Sequence, residues 1–165
     1  MTIPSTTPRI AMYAGSFDPI TNGHEDLIKR TLAFADRIFV AVATNINKKP
    51  LFAAEERVAF IKTVVGDSSR IEVRKFDGLL VNFAKDVGAV LNVRGIRSVS
   101  DFESETQMAV MNRRMFPSLE TVFLTASPDT TFISSSLIRE VARFGGDVSG
   151  LVHPAIADAL TKKFR

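Results

Sequence analysis

Four stretches of this chain carry residue types suited to phosphate chemistry. The first is Gly15-Ser16-Phe17-Asp18-Pro19, followed at once by Thr21-Asn22-Gly23-His24. It supplies hydroxyls, two glycines that let a backbone turn sharply or be approached closely, and an imidazole. The second holds Lys48 and Lys49, and the third is Arg94-Gly95-Ile96-Arg97. The fourth runs from Ser127 to Ser136 and ends in Ser134-Ser135-Ser136. Arg offers a planar fork to a phosphate and Lys a compact point charge. Hydroxyls and free N–H groups at a helix start make an anion cradle. Together these groups suit a small anionic ligand such as a phosphate. The absence of cysteine excludes thiol nucleophiles and thiolate metal sites. No G-x-x-x-x-G-K-[ST] occurs, so the phosphate loop is not of the Walker type.

Several of these residues also have plainer readings. His24 on a first helical turn could be a capping or surface histidine, but its position after the first apolar run favours a role beside a phosphate. His153, before Pro154, has no such context. Lys49 reads as a solvated turn. Ser134 to Ser136 precede Leu137-Ile138-Arg139-Glu140-Val141 and read as a helix N-cap, which is compatible with a phosphate cradle. Asp18 could help with a metal or with geometry, but Asp-Pro is also a turn former, and the turn is preferred.

These groups need a frame. Five apolar runs, Ile10–Ala14, Ile38–Ala43, Ile71–Val73, Val90–Val93 and Thr121–Leu124, read as buried strands. Between them lie segments with helical spacing, marked by Leu27, Ile28, Leu32 and Ala35, then Val58, Ile61 and Val65, then Leu79, Phe83 and Val87, and then Met108, Met111 and Met115. Two further helical segments, Ser135–Arg143 and Ala155–Lys163, close the chain. The methionine row reads as core or subunit contact. Alternating strands and helices predict an α/β domain with a parallel sheet. In such sheets ligands bind beyond the carboxyl ends of the strands, and the phosphate-suited stretches follow the first, second, fourth and fifth runs.

With 165 residues, 45% apolar and 24% charged, the chain has the composition of one globular domain and of neither a disordered nor a repetitive protein. Its net charge of +3 is too mild for a nucleic-acid stripe and suits a small anionic ligand. Residues 1–8 read as a short polar leader without the apolar core of a signal peptide, and 9–165 as the domain. No apolar run is long enough to span a bilayer. The expectation is a cytoplasmic protein without nucleic-acid or membrane partners.

The first stretch, with Thr21-x-Gly23-His24, resembles the nucleotidyltransferases of the T/H-x-G-H class, which share an ancestral fold with class I aminoacyl-tRNA synthetases. Within that class, Arg94-Gly95-Ile96-Arg97 and Phe132-Ile133-Ser134-Ser135-Ser136 are similar to blocks of the bacterial phosphopantetheine adenylyltransferases. So are Lys48-Lys49-Pro50, Glu55-Glu56-Arg57 and Asp101-Phe102-Glu103, and the resemblance runs from about Arg9 to the C-terminus. It implies a single Rossmann-like domain, with a five-stranded parallel sheet covered by helices on both faces. It implies transfer of the adenylyl group of ATP to 4′-phosphopantetheine, giving dephospho-coenzyme A and pyrophosphate, with Mg²⁺ accompanying ATP and no side-chain metal site. Ser16, His24, Lys48 and Arg97 would be catalytic. Ser16, Lys48, Leu80 and Arg94 would hold the pantetheine substrate. Ser16, Phe17, His24, Gly95, Ile96, Arg97, Glu105 and the loop Thr130, Thr131, Phe132, Ile133, Ser134, Ser135 and Ser136 would hold ATP. The same resemblance implies a homohexamer. The chain departs from the family pattern at Ala14, at Ala53, and at Thr130 and Thr131, where an aromatic residue is common and adenine would otherwise stack. A related transferase with another acceptor or CTP, and a non-catalytic nucleotide-binding module, are the competing readings.

Overall fold

The first apolar run becomes β1, Ile10–Gly15, in which Ala11, Met12, Tyr13 and Ala14 are all buried. Burial on both faces is the mark of a central strand in a parallel sheet. The structure is a computed structural model that describes residues 7–44 and 49–165. Lys48 and most of the predicted leader therefore lie outside the described residues. The elements follow in the expected alternation: α1 (Asn22–Thr31), β2 (Arg37–Ala43), α2 (Ala54–Val65), β3 (Ile71–Phe76), α3 (Leu80–Val87), β4 (Leu91–Ile96), α4 (Val99–Met115), β5 (Glu120–Thr125), α5 (Ser135–Arg143) and α6 (Pro154–Phe164).

The five strands form one parallel sheet in the order β3-β2-β1-β4-β5. One face carries Ala11, Tyr13, Ile38, Val40 and Val42 against Leu27 and Ile28 of α1, Ile61 of α2, Ile138 of α5 and Ile156 and Leu160 of α6. The other carries Met12, Ala14, Phe39 and Ala41 against Val81, Phe83 and Ala84 of α3. Among the described residues no helix is long and apolar enough to cross a membrane.

Three expectations change in detail. Arg94, Gly95 and Ile96 are not a loop after the fourth strand. They are its last residues, paired with Phe123, Leu124 and Thr125 of β5. Successive strand residues face opposite sides, so Arg94 and Gly95 look away from each other. Leu79 precedes α3 and is exposed, and Leu80 opens the helix in its place. The methionine row does not enter the core. Met108, Met111 and Met115 are exposed, with Val99, Phe102 and Val110 beside them, and Asn112 is the one buried residue of α4.

The sheet turns back on itself between β1 and β4. β2 and β3 are added on one side of β1, and β4 and β5 on the other. β1 pairs with β2 along its whole length, from Ile10↔Arg37 to Gly15↔Val42. Its pairing with β4 is confined to Ala11↔Leu91 and Met12↔Asn92. Beyond that point the two strands part, and a cleft opens between their carboxyl ends.

Gly95 fixes the floor of that cleft. A Cβ at this position would lie 2.4 Å from Leu27 Cδ1, so the backbone of β4 touches the helix that carries His24. Leu27 is buried and has little room to swing away. Gly95→Ala is expected to cost about 1–3 kcal/mol, the usual range for overpacking a core contact. Thermal unfolding is the measurement, and an unchanged midpoint would mean that Leu27 can move freely.

Candidate active site

The cleft has a volume of about 1020 Å³. Its walls include Ser16, Phe17, His24, Leu80, Arg94, Gly95, Arg97, Glu105, Thr130, Ile133 and Ser134 to Ser136. Residues far apart in the sequence are thus brought together as the strand order requires. Ile96 and Thr131 instead border a smaller, mainly apolar pocket of about 430 Å³ on the far side of Arg97, which also touches Phe102. Phe132 is exposed and lines neither. Lys49 is exposed at the cleft wall.

His24 is held by its own helix start. Thr21 is the N-cap of α1, and its backbone N–H donates to His24 Nδ1 at 3.0 Å. The Thr21 hydroxyl lies 3.0 Å from the same nitrogen. A nitrogen that accepts a backbone N–H cannot carry a proton, so the neutral ring bears its proton on Nε2. Burial pushes the imidazole pKa down to about 4, and the Arg97 and Arg94 charges push the same way. His24 is therefore a neutral donor. The Phe17 ring meets it edge-on, with centroids 5.1 Å apart, and also meets Tyr13 at 5.3 Å. Tyr13 keeps its phenol proton, because burial raises its pKa to about 12 against the opposing pull of Arg94 and Arg97.

Phe17 reaches this place in a left-handed backbone conformation, with φ 47°. For a bulky residue that costs roughly 1–2 kcal/mol, and surrounding contacts must hold it. Gly15 makes room, since a Cβ there would sit 3.3 Å from the Phe17 ring. Asp18, next in the chain and buried, accepts from the N–H groups of Leu51 and Phe52 at 2.8 and 3.0 Å. Asp18 and Pro19 do form a turn, and the Asp18 carboxylate also anchors the loop before α2, which the turn reading did not include. His153 is likewise structural and caps α6 by accepting from Ala155 N–H.

The arginines are aimed before any ligand arrives. Arg94 makes a two-pronged ion pair with Glu105 at 2.7 and 2.6 Å and donates to the Ala14 carbonyl at 2.5 Å. Glu105 raises the Arg94 pKa over the opposing effect of burial. Arg97 holds Asp101 at 3.1 Å and the Ile133 carbonyl at 3.2 Å. Ser134 caps α5 by accepting from Leu137 N–H at 3.1 Å, and Ser135 donates to the Pro19 carbonyl at 2.8 Å. The N–H groups of Ser135 and Ser136 meet no acceptor among the described residues. The cap therefore leaves these two N–H groups available as donors.

Two cleft residues escaped the sequence reading. Arg139, on the first turns of α5, donates to the Asp18 carbonyl and lies 3.3 Å from Ser136 Oγ. Its spacing from the serine run was the available signal. Arg57 is marked only as part of the Glu55-Glu56-Arg57 block, which assigns it no role, because two of its three carbonyl partners, Ser16 and Ala43, lie 41 and 14 residues away. No group of three or more His, Asp or Glu side chains among the described residues could cage a metal. The cleft carboxylates are engaged, Asp18 by N–H groups and Asp101 and Glu105 by arginines.

The lowered pKa of His24 has a pH signature. The folded protein keeps the ring neutral, whereas the unfolded chain protonates it below its ordinary value of 6.5. Between pH 6.5 and about 4 the unfolded state binds more protons, so stability falls as pH falls through that window. Nitrogen NMR of the ligand-free protein at pH 6 should show a neutral Nε2–H ring. An imidazolium at that pH would contradict the geometry.

The comparisons with known proteins bear on the chain as a whole. Residues 12–141 match the family model described as cytidylyltransferase-like. A phosphopantetheine adenylyltransferase of Thiobacillus denitrificans is 50% identical over 155 residues, covering 94% of this chain and 97% of the relative. One of Geotalea daltonii is 51% identical over 156 residues, covering 94% and 97%. Among solved structures, a Plasmodium falciparum nicotinic acid mononucleotide adenylyltransferase complexed with NaAD matches with a TM-score of 0.71 at 19% identity, covering 94% of this chain and 96% of that one. That likeness bears on the fold alone. Half of the residues are shared with curated relatives along nearly the whole chain, and the chain belongs to the phosphopantetheine adenylyltransferases, the enzymes that make dephospho-coenzyme A from ATP and phosphopantetheine.

Proposed function

We propose that adenylyl transfer takes place in the cleft between β1 and β4, with the acceptor phosphate attacking the α-phosphorus of ATP in line. An ionised phosphate needs no general base and the protein supplies no nucleophile, so catalysis is positioning and charge stabilisation. His24 Nε2–H donates to the α-phosphate as charge builds there. The observation that carries this reading is the Thr21 N–H bond to Nδ1, which leaves Nε2 as the donor. A neutral ring with its proton on Nε2 can strengthen that bond as charge builds, with no change in its protonation state.

Arg94 and Lys48 grip the acceptor phosphate, and Leu80 lines the pantetheine side. Ser16 orients the two reacting phosphates, and Arg97 holds ATP together with the backbone of Gly95 and Ile96. The loop from Thr130 to Ser136 receives the β- and γ-phosphates, supported by the free N–H groups at the start of α5. Phe17 and Glu105 border ATP, and Glu105 also aims Arg94. The small pocket beside Ile96, Phe102 and Thr131 suits adenine by apolar contact in place of aromatic stacking. Mg²⁺ bound to the polyphosphate would lower its charge, and Asp18, Asp101 and Glu105, already engaged within the protein, would not be needed to hold it. Residues 9–165 act as one catalytic unit in the cytoplasm, where ATP is supplied.

His24→Ala tests the mechanism. With ATP, Mg²⁺ and phosphopantetheine, and with pyrophosphate followed, kcat should fall by about 10²–10³, the usual loss for one preorganised donor. Binding of each substrate should stay within several-fold. Turnover near that of the wild type would sink the assignment.

The same reading includes a homohexamer. The exposed row on α4, with Val99 78% and Met111 51% accessible, supports a subunit contact. Sedimentation at micromolar concentration should give a mass well above the monomer, and Met111→Asp should lower it. A monomeric, active wild type would remove this claim.

A further inference from the structure

Arg57 is a buried cation that the mechanism above does not use. It is only 4% exposed. Its Nε donates to the Phe52 carbonyl at 3.1 Å, and its Nη1 to the Ser16 carbonyl at 2.6 Å and the Ala43 carbonyl at 3.0 Å. No carboxylate among the described residues lies within ion-pairing distance of it. A buried charge without a counter-ion is costly. An apolar residue would fill the same space more cheaply if packing were the whole requirement.

What the guanidinium achieves is the joining of three carbonyls on different segments. Of these, Ser16 matters most. Its carbonyl belongs to the peptide that leads into Phe17, the residue held in the left-handed conformation. Trans peptides are planar, so fixing the Ser16 oxygen fixes the plane from which Phe17 departs. The Phe17 ring then lies over Gly15 and against the His24 imidazole. A fixed guanidinium thus stands at one end of a short chain of contacts and the transition-state donor at the other.

We propose that Arg57 is a positioning residue for adenylyl transfer, acting through the Ser16 carbonyl and Phe17 on the orientation of His24. The inference rests on the role given to His24 above. It requires Arg rather than Lys, because only the planar fork reaches separate carbonyls from one rigid group. It also implies that Arg57 contributes to turnover more than to substrate affinity.

The test uses Arg57→Met and Arg57→Lys in the full chain, assayed well below their unfolding temperatures. kcat should fall by about 10- to 100-fold in Arg57→Met, the scale of loss from a small misplacement of a catalytic group. The KM values for ATP and phosphopantetheine should change far less. Arg57→Lys should recover part of kcat. The His24 ring resonances of the ligand-free variants should shift from those of the wild type. Wild-type kcat in folded Arg57→Met would overturn the proposal, and so would a loss of kcat with unmoved His24 resonances. If Arg57→Met does not fold, Arg57→Lys decides alone: a fall in kcat larger than the change in KM supports the role, and wild-type kcat removes it. An inactive wild type would defeat the functional reading itself. The His24 resonances would still report whether Arg57 sets that ring.

Discussion

The parting of β1 from β4 is the constraint on which the rest of the site depends. Two parallel strands that stop pairing after Met12 and Asn92 leave backbone groups without a ladder partner. Such groups must be satisfied in some other way. Arg94 provides one solution, because its guanidinium reaches across the gap to the Ala14 carbonyl. The same side chain is then locked by Glu105 and offered to the cleft. The defect in the sheet and the placement of this cation in the cleft are therefore one feature. Closing the gap with ordinary pairing would remove both the cleft and the reason for a cation at that place.

Around this gap the charges are arranged in two ways. Arg94, Arg97 and Arg139 each have a carboxylate nearby, Glu105, Asp101 and Asp18 respectively. These partners keep the guanidinium groups oriented and offset their mutual repulsion. His24 stands among the cations and responds by staying neutral. With Nδ1 taken by the Thr21 N–H, the neutral ring presents a single donor, Nε2–H, and adds no further positive charge beside Arg94 and Arg97.

Much of this architecture was legible in the residue pattern. The β-branched and aromatic runs marked all five strands, because buried parallel strands need continuous apolar surface on both faces. The motif residues Ser16, His24, Arg94, Arg97 and Ser134 to Ser136 marked the cleft, because each lies near the carboxyl end of a strand or at a helix start. What was illegible depended on partners distant in sequence. Arg94 to Ile96 looked like a loop because a charged residue and a glycine interrupt the apolar run, yet β5 pairs with all three. The methionine spacing gave the helical face of α4 but not the side that face would turn to. Arg57 sits in the Glu55-Glu56-Arg57 block, whose resemblance to the family says nothing of what the side chain touches. Only the fold brings the carbonyls of Ser16 and Ala43 to it.

The contact between Gly95 and Leu27 bears on how this cleft can move. It joins the strand that carries Arg94 to the helix that carries His24, with no intervening side chain on the strand. Two elements in such contact cannot approach further, and separating them would open a void in the core. The base of the cleft therefore keeps a constant span, like the closed end of a tuning fork. One distance therefore separates the Arg94 strand from the His24 helix, and a displacement of either element is passed to the other instead of being taken up between them.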